Sequence, residues 1–531
     1  MDEYDVIVVG AGPVGLMLAG ELALHGARTL VLERLSEMDP TVKAGAINAP
    51  TAEACYRRGL LPALIETQQQ VLGAMAEFMK QRTGPGQGRT KPLPGHFGGI
   101  MRMRADRLDP TDPDLEPSPA SEVVLVPQQA IEHIVGEWAV GLGAELWRAA
   151  ELAGFVADDT GVTAELVDGR QVRAGWLVGC DGGRSRVRKL AGFDFPGTDP
   201  LITGHQAVVD IADPEKLPSG WNHTATGMLV HGPTPGRILT VEYDGPPAYR
   251  DTPVTLDELQ ASLRNVSGTD VTITAVRSAT RFTDNARQAS TYRLGRVLLA
   301  GDAAHVHSPF GGQGLNLGVG DAVNLGWKLA ATVRGWAPAG LLDTYTAERH
   351  PIGAWVLDWT RAQVALMRPG PHIDALRVVV GDLMDTVEGN TYFVKKISGV
   401  SHRYTAGEHE LVGRRTPDLL LADGSRLADH CRDGRPLLVD LADDAGLRDR
   451  AAGWADRVSV HTGALDPADP RPGLAALLVR PDGYLAWAAD RSETVGSEGL
   501  AAALSAWFGE PSAVGSESVG AGTGEPAVAG R

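Results

Sequence analysis

The sequence predicts an α/β protein in which a Rossmann-like nucleotide-binding domain is interrupted by an antiparallel β-sheet and followed by a third domain. Three observations lead to this prediction. A complete βαβ unit with a glycine-rich turn opens the chain. Alternating and β-branched runs fill residues 192–285, and short strands with one helical segment occupy residues 405–509. A length of 531 residues is too great for one ordinary core, so two or three domains are expected.

The βαβ unit begins with a short strand at residues 5–9 (DVIVV), whose apolar, β-branched composition is typical of a buried parallel strand. The strand leads directly into Gly10, Gly12 and Gly15, at the spacing GxGxxG. A helical stretch and a second strand, ARTLVLE, follow and end at Glu33. The first glycine permits a tight turn, the second lets a pyrophosphate approach the backbone, and the third lets helix and strand pack closely.

The same unit indicates which nucleotide it binds. Free N–H groups and the positive dipole end at the N-terminus of the helix favour phosphates. Glu33 can accept two hydrogen bonds from a ribose, and its charge repels a 2′-phosphate. An adenosine with free hydroxyls is therefore expected, as in FAD or NAD, and this motif does not distinguish the two.

Two further glycine-rich turns follow apolar strands. Residues 176–188 read WLVGCDGGRSRVR, and residues 297–316 read VLLAGDAAHVHSPFGGQGLN. They place Asp181 and Asp302 at strand ends beside a ligand rich in hydroxyls, and a carboxylate such as Asp302 can bind a ribityl hydroxyl. The loop 311–316 precedes a helical stretch, so its backbone N–H groups can stabilise negative charge at the edge of an electron-accepting ring.

These three segments, in this order and at these separations, resemble the para-hydroxybenzoate hydroxylase family of single-component flavoprotein monooxygenases. The resemblance implies FAD as the cofactor and NADPH or NADH as the electron donor. It also implies a fold with a Rossmann-like FAD-binding domain, an inserted antiparallel substrate domain and a C-terminal thioredoxin-like domain. The expected ranges are 1–191 and 286–395 for the FAD-binding domain, with a pocket loop at 75–105, and 192–285 for the substrate domain.

The resemblance also implies the residues of the site. Residues expected to bind FAD or the nicotinamide nucleotide are Gly10, Gly12, Pro13, Val14, Gly15, Glu33, Arg34, Lys43, Gln128, Asp181, Gly182, Arg188, Gly301, Asp302, Pro309, Gly314, Leu315 and Asn316. Residues expected to lie against the reacting flavin ring are Pro309, Gly312, Gln313 and Gly314. No dedicated side-chain nucleophile is expected.

One segment departs from the family pattern. Many relatives carry an arginine followed seven residues later by a second arginine, whereas this chain has Lys43 and Pro50. Lysine binds a pyrophosphate through a single ammonium charge, whereas the planar guanidinium of arginine can donate two parallel hydrogen bonds. We therefore expect this edge of the site to be differently supported, with Arg57 or Arg58 as candidates to compensate.

The inserted sheet is expected to roof the substrate pocket above the flavin. Its candidate substrate contacts, together with one residue of the glycine loop, are His205, Met228, Tyr243 and Phe310. For His205 a surface or satisfied core position is the more common alternative. The HxH pair His305 and His307 lacks a third ligand, so no metal is expected.

Residues 405–509 resemble the C-terminal thioredoxin-like domain of the larger family members. They contain the strands PLLVDLA and VSVHT and a predicted hairpin, RPDGYLAW, with Asp482 and Gly483 at its turn. The segment has no CxxC pair, so thiol–disulfide chemistry is excluded and a packing or dimerisation role is expected. Residues 510–531 are low in complexity and are expected to be disordered.

The implied activity is hydroxylation of an aromatic or polycyclic polyketide-like molecule with NAD(P)H and O2, through a C4a-(hydro)peroxyflavin. Two alternatives on the same scaffold remain open, namely Baeyer–Villiger oxygenation and inactivation of an antibiotic. A flavin reductase without oxygenation and a non-catalytic flavin-binding protein are the more distant alternatives.

Charge and cysteine content exclude other classes. A formal charge of −17 argues against a nucleic-acid partner, since phosphate contacts need concentrated Lys and Arg. We expect no secretory signal, because acidic residues stand where such a signal would need positive ones, and no apolar run approaches the ~20 residues of a membrane-spanning helix. Cys55, Cys180 and Cys431 show no disulfide spacing. We expect a soluble, cytoplasmic monomer or homodimer whose partners are an aromatic small molecule and O2.

Overall fold

The structure is a computed structural model that describes residues 3–41, 43–80, 95–232, 234–248, 252–405, 407–491 and 497–512. Two of the sequence predictions fall partly outside this range. They are the centre of the pocket loop, residues 81–94, and the greater part of the C-terminal tail, residues 513–531.

The strands are numbered in chain order. They are β1 (Glu3–Val9), β2 (Thr29–Leu32), β3 (Glu145–Trp147), β4 (Leu152–Ala157), β5 (Val162–Leu166), β6 (Gln171–Gly179), β7 (Gly197–Thr198), β8 (Thr203–Ala212), β9 (Gly220–His223), β10 (Gly227–His231), β11 (Arg237–Glu242), β12 (Thr272–Phe282), β13 (Ala286–Gln288), β14 (Arg293–Leu294), β15 (Val297–Leu299), β16 (His305–Val306), β17 (Leu437–Asp440), β18 (Ser459–Thr462), β19 (Leu474–Val479) and β20 (Leu485–Asp490).

The helices are numbered in the same way. They are α1 (Pro13–Leu24), α2 (Ala49–Arg57), α3 (Leu61–Lys80), α4 (Gln128–Gly141), α5 (Arg186–Ala191), α6 (Leu256–Ser267), α7 (Gln313–Val333), α8 (Thr344–Met367), α9 (Pro371–Met384), α10 (Val387–Ser398), α11 (Ala445–Ala451) and α12 (Ser497–Phe508).

The largest sheet has the strand order β14-β15-β6-β1-β2-β3, and the hairpin β4–β5 extends it from β6. Strands β15, β6, β1, β2 and β3 are parallel, with Val8 opposite both Val31 and Val178. Side chains of β1 from Val6 to Val8 are fully buried. Burial on both faces explains why these strands are almost continuously apolar, as expected of a parallel sheet covered by helices.

Helix α1 connects the first two strands and packs between α4 and α7. The approach to α7 is close, since a Cβ added at Gly326 would lie 2.5 Å from the Cβ of Glu21. This packing fixes the start of α7 near the start of α1. The two glycine-rich segments, although 300 residues apart, therefore share one edge of the sheet.

The inserted sheet is entirely antiparallel, with the order β12-β8-β11-β10-β9. One face packs on α6, whose N-terminus is capped by Thr255; its Oγ accepts a hydrogen bond from the backbone N–H of Glu258 at 3.2 Å. The sequence predicted the sheet but not α6 or β9. The opposite face of the sheet is free to line a cleft.

The C-terminal region forms a separate four-stranded sheet with the order β18-β17-β19-β20. Strand β17 is parallel to β18 and antiparallel to β19, and α11 connects the parallel pair. The predicted hairpin is present as β19–β20, and Gly483 adopts a φ of +79° at its turn. A βαβ unit followed by a hairpin and a helix, α12, is the arrangement of a thioredoxin-like domain.

The predicted α/β class, with its parallel sheet, inserted antiparallel sheet and C-terminal domain, is confirmed. Two features were not expected from the sequence. One is the helical pair α9–α10, and the other is a small sheet of the order β16-β13-β7 that connects the inserted domain to the main one. Across the residues the structure describes, every helix is too short or too polar to span a bilayer.

Candidate active site

A large cleft runs between the carboxyl edge of the parallel sheet and the inserted antiparallel sheet. Its volume is about 1070 Å³. Typical small-molecule sites occupy about 300–1,000 Å³. Its lining extends continuously from Gly10 at one end to Trp221 and Phe282 at the other. The cleft therefore has room for a dinucleotide and a second molecule.

The first glycine-rich turn forms one end of the cleft. Gly10 has a φ of +105°, and a Cβ there would lie 2.5 Å from the carbonyl oxygen of Cys180. Gly15 instead packs beneath the turn, since its Cβ would lie 2.0 Å from the carbonyl oxygen of Gly10. Gly12 precedes α1 and has open space where a Cβ would lie. The N-terminus of α1 thus faces the cleft with room for a phosphate.

Glu33 directly follows β2, beside this turn. Its Oε2 accepts a hydrogen bond from the backbone N–H of Ala11 at 2.8 Å, and its Oε1 accepts one from that of Leu35 at 2.8 Å. Each carboxylate oxygen has a second lone pair for a ribose hydroxyl. Arg34, the next residue, also lines the cleft.

The segment that departs from the family pattern lies along the same wall. Lys43 lines the cleft half-exposed, and its Nζ forms an ion pair with Asp39 at 2.8 Å. Gln128 lines the cleft beside it, and its Nε2 donates a hydrogen bond to Glu132 at 2.8 Å. Burial raises the pKa of Glu132. Lys43 is therefore the cation that this segment brings to the cleft.

The expectation that Arg57 or Arg58 compensates for the missing arginine is wrong. Arg58 is buried and binds Glu21 through two hydrogen bonds of 2.8 Å. Arg57 donates to the carbonyl oxygen of Asp482 at 3.1 Å. Both side chains point toward the C-terminal domain, because α2 presents its last turn to that domain and not to the cleft.

The second glycine-rich turn places Asp181 and Gly182 on the cleft. Oδ2 of Asp181 accepts hydrogen bonds from the backbone N–H groups of Arg186 and Val187, at 2.6 and 3.1 Å. Its Oδ1 is buried and has no hydrogen-bond partner among the described residues. A buried carboxylate oxygen without a partner is costly, so this atom matches a ligand hydroxyl or amide.

Arg188 was predicted to bind a nucleotide, and this prediction is wrong for the geometry observed. The guanidinium donates to the carbonyl oxygens of Ala303 and Gly183, at 2.9 and 2.8 Å, and stacks 3.7 Å from the ring centroid of Phe195. Burial lowers its pKa. Arg188 supports the two turns from behind because α5 directs its side chain into the core.

The third segment begins with a turn at Gly301 and Asp302. The Asp302 side chain lines the cleft, whereas Gly301 lies behind it with a φ of +62°. Asp321 on α7 holds the turn. Its Oδ2 accepts hydrogen bonds from the backbone N–H of Gly301 at 3.0 Å and from Nε2 of His305 at 2.6 Å. His305 therefore helps to hold Asp321 and the turn in position and does not line the cleft.

The loop before α7 follows the cleft wall. Pro309, Gly312, Gly314 and Leu315 line it. Gln313 and Asn316 do not. Gln313 donates to the carbonyl oxygens of Gly311 and Ile397, at 2.9 and 3.1 Å. Asn316 donates to that of Gly312 at 2.8 Å and accepts from the backbone N–H of Asn48 at 2.9 Å. These two side chains brace the loop from the side away from the cleft, which corrects their predicted roles.

His307 contributes a second unpaired atom. Its Nδ1 lies 2.8 Å from the carbonyl oxygen of Ser308, while its buried Nε2 has no partner within the described part of the chain. Burial lowers the pKa of His307. The open helix N-terminus, the unpaired Asp181 oxygen and this nitrogen surround one volume, and together they fit the phosphate, hydroxyl and ring groups of FAD.

The far end of the cleft is lined by residues that the sequence did not single out. They are His96, Gln206, Trp221, Arg237, Leu239, Thr280, Arg281, Phe282 and Thr283. The rings of His96 and Trp221 lie 3.8 Å apart. Burial, with a smaller contribution from the neighbouring His223, lowers the pKa of His96 to about 3. This end of the site is therefore aromatic and has a neutral imidazole.

Arg237 brings a positive charge to this end of the cleft. It opens β11 and directs its guanidinium into the cleft, and burial lowers its pKa. Its side chain forms no hydrogen bond or ion pair with any described residue. A largely buried cation without a counter-charge is unfavourable, so the site is complementary to an acidic or strongly polar oxygen of a ligand.

The four predicted substrate residues lie at different places relative to the cleft. Phe310 is buried on the cleft wall, with its ring centroid 5.8 Å from that of Phe282. Met228 and Tyr243 pack behind Phe310 in one apolar cluster, and the Tyr243 hydroxyl donates to the carbonyl oxygen of Val364 at 3.1 Å. Met228 and Tyr243 therefore do not line the cleft in this structure, and their prediction as direct substrate contacts is wrong.

The prediction for His205 is also wrong. Its Nε2 lies 2.8 Å from Oε1 of Glu258 on α6. Neighbouring side chains of a strand point to opposite faces, so Gln206 lines the cleft and His205 cannot. The sequence contained this alternation, but only the structure shows which face of the sheet meets the cleft.

Two family models match most of the chain. A model of the FAD binding domain matches residues 3–360. A model of the C-terminal part of aromatic-ring hydroxylases matches residues 409–511. The two matches correspond to the region that builds the cleft and to the C-terminal sheet.

Characterised proteins are similar over nearly the whole length. Rifampicin monooxygenase from Streptomyces venezuelae is 42% identical over 517 residues, covering 96% of this chain and 100% of that protein. The 12-dehydrotetracycline 5-monooxygenase/anhydrotetracycline 6-monooxygenase of Streptomyces rimosus is 43% identical over 531 residues, covering 96% and 99%. The solved structure of the anhydrotetracycline hydroxylase OxyS from Streptomyces rimosus is 40% identical with a TM-score of 0.83, covering 96% and 100%. The similarity therefore extends through both matched regions.

Proposed function

This chain belongs to the family of FAD-dependent aromatic-ring hydroxylases, which are flavoprotein monooxygenases, and we propose that it oxygenates a polycyclic aromatic polyketide. Bound FAD supplies the redox and oxygen chemistry of such an enzyme. The protein supplies binding, orientation and exclusion of water. We propose NADPH or NADH as the electron donor and O2 as the second substrate.

One observation carries this proposal. The nucleotide end and the aromatic end belong to one cleft, and the loop at Pro309–Gly314 lies between them. A ligand bound against Phe310 and Phe282 would lie next to a ring held at this loop. Oxygen transfer needs this adjacency, because the reacting atoms of cofactor and substrate must meet within a shielded volume.

We propose distinct tasks for the residues along the cleft. The turn at Gly10–Gly12 and the N-terminus of α1 hold the pyrophosphate, and Glu33 holds the ribose. Asp302 binds hydroxyls of the ribityl chain. The backbone N–H groups at the start of α7, from Gly312 onward, stabilise negative charge on the ring of the cofactor.

We propose the same division at the level of domains. Residues 1–191 and 286–395 bind FAD, and residues 192–285 close the substrate end. Residues 405–509 form the C-terminal domain. This division is supported by the cleft lining, which draws on the first two regions.

The substrate class follows from the far end of the cleft. Its walls are aromatic at Trp221, Phe282 and Phe310, which suits a flat ring system. The unpaired guanidinium of Arg237 suits a phenolate, enolate or carboxylate oxygen on that ring system. By their names, the relatives act on rifampicin and on 12-dehydrotetracycline and anhydrotetracycline, and we propose a substrate of this general kind.

The test is a substrate panel with the FAD-loaded protein. Anhydrotetracycline, rifampicin, an angucycline-type quinone and simple phenols are each mixed with NADPH or NADH, and oxygen uptake and product mass are recorded. We expect nicotinamide oxidation to depend on a polycyclic ligand and the product to gain 16 mass units. The product structure separates hydroxylation from lactone formation, which would indicate Baeyer–Villiger chemistry. Ligand-independent peroxide formation across the panel would contradict the proposal.

A further inference from the structure

Consecutive residues of α8, Glu348 and Arg349, connect the C-terminal domain to the cofactor cleft. Glu348 is buried and accepts hydrogen bonds from Arg480, Nη1 to Oε1 at 2.6 Å and Nη2 to Oε2 at 2.8 Å. Arg480 lies in the turn between β19 and β20 of the C-terminal sheet. One end of the connection is therefore a bidentate buried ion pair between two domains.

The ion pair is part of a larger buried group on α7. Lys328 donates to Glu348 at 2.6 Å, and Asn324 donates to both Glu348 and Asp482, at 2.7 and 3.2 Å. Arg480 also contacts Asp482, at 3.1 Å from Nε to Oδ1. The group contains two cations and two carboxylates, so its formal charges cancel. Although burial opposes it, the charges of Arg480 and Lys328 keep the pKa of Glu348 below its usual range.

The other end of the connection lies on the cofactor side. Arg349 donates from Nε to Oδ1 of Asp321 at 2.8 Å and from Nη2 to the carbonyl oxygen of Leu317 at 2.9 Å. Oδ2 of Asp321 accepts the backbone N–H of Gly301 at 3.0 Å. Gly301 precedes Asp302 on the cleft wall, and Leu317 lies in the first turns of α7.

These contacts hold α8 on two sides, at the C-terminal turn and at α7. Buried charges are tolerated only where each has its partners, so a small rotation of α8 would unpair groups at both ends. Glu348 fixes the position of α8 relative to the turn between β19 and β20. Arg349, the next residue of the helix, links that position to Asp321. Tyr404 adds a second contact, since its hydroxyl accepts from Nη1 of Arg349 at 3.3 Å and its ring stacks 4.0 Å from that of Tyr484.

We propose that the C-terminal domain positions the cofactor-binding turn at Gly301–Asp302 through the buried link Arg480–Glu348–Arg349–Asp321. The four members are positioning residues, and none of them lines the cleft. In this proposal the C-terminal domain supports cofactor binding, a role that requires neither thiol chemistry nor a second subunit.

The decisive variant is the double substitution Glu348→Gln with Arg480→Met. It removes one charge of each sign, so Lys328 and Asp482 still balance each other. Replacing both partners of a buried pair disturbs stability less than removing one. The matched control is Arg471→Met, which removes a partly buried arginine of the same domain that pairs with Asp469 in that domain and with Glu116 in the FAD-binding region, and that is not part of the group around Glu348.

Binding of FAD to the apoprotein is measured by fluorescence titration, with visible circular dichroism of the bound flavin as a second readout. We expect the double variant to raise the FAD dissociation constant about tenfold, or 1.4 kcal/mol, and to change the flavin circular dichroism. The control should stay within about twofold of the parent protein. A folded double variant with parental values of both readouts would overturn the proposal.

A second variant applies if the double variant does not fold. Tyr404→Phe removes only the hydroxyl that contacts Arg349 and keeps the stacked ring. We expect it to weaken FAD binding about threefold, and an unchanged dissociation constant and circular dichroism would overturn the proposal. Neither readout depends on turnover, so failure of the substrate panel leaves this test intact.

Discussion

Oε2 of Glu33 lies 2.8 Å from the backbone nitrogen of Ala11 and accepts its hydrogen bond. The acidic residue that directly follows β2 therefore holds the glycine-rich turn before any nucleotide binds. A carboxylate that braces the turn and also offers lone pairs to a ribose has two separate effects on affinity. One is preorganisation of the turn, and the other is direct contact.

The first prediction concerns this carboxylate. Glu33→Ala leaves the Ala11 N–H without its acceptor and removes the ribose contact, so we expect the FAD dissociation constant to rise about tenfold to a hundredfold. Glu37→Ala is the matched control, since Glu37 lines the same cleft but is exposed. Fluorescence titration measures both variants, and equal affinities for the two would contradict the assigned role.

The second prediction concerns substrate recognition by Arg237. Arg237→Met preserves much of the side-chain volume and removes the unpaired cation, so KM for the substrate identified in the panel should rise about tenfold to a hundredfold. FAD affinity should stay within about twofold. Arg277→Met is the control, because Arg277 lies in the same inserted sheet and pairs with Asp210 at the exposed surface. An unchanged KM in Arg237→Met would show that the cation does not meet the substrate.

Local sequence chemistry predicted the parallel sheet and its glycine-rich turns. Turns at Gly10, Gly182 and Gly312 have positive φ angles that favour glycine, so their positions could be inferred from the sequence. Apolar strands of a parallel sheet are equally visible, because both of their faces are buried. The α/β fold and the C-terminal hairpin were predicted for these reasons, and the inserted sheet was predicted from its alternating and β-branched runs.

The lining that the inserted sheet gives to the cleft could not be predicted in the same way. Which face of β8 meets the cleft depends on how the whole sheet docks, so Gln206 and His205 could not be assigned from their order alone. Trp221 lies on a four-residue strand with no strong pattern, and His96 follows a polar, proline-rich segment. Arg188 and Asn316 resembled ligand contacts, but tertiary packing directs them away from the cleft.

The third prediction tests the two faces of β8. His205→Ala removes the contact with Glu258 on α6, so the free energy of unfolding should fall by about 1–3 kcal/mol while KM stays within twofold. Gln206→Ala changes the cleft wall instead, and KM should rise about threefold to tenfold. Denaturant unfolding and steady-state kinetics separate the two effects. A large KM change in His205→Ala would restore the original substrate assignment.

The fourth prediction is a pH dependence of stability. His96 is buried, its Nδ1 accepts the backbone N–H of Gly99 at 3.2 Å, and its pKa falls from 6.5 to about 3. The unfolded chain therefore binds a proton between these values that the folded chain excludes. His96 contributes its full stability above pH 6.5 and loses it as the pH falls toward 3, by up to about 1.4 kcal/mol per pH unit.

Comparison with His96→Asn isolates this contribution, because asparagine can present an oxygen where Nδ1 accepts and does not titrate. Denaturant unfolding of both proteins at pH 7, 6, 5 and 4 should give a stability difference that changes steadily below pH 6.5. His223 titrates in both proteins and its effect largely cancels in the difference. A difference that is constant over this range would mean that His96 protonates in the folded cleft, which would require water or an acidic partner beside the Trp221 ring.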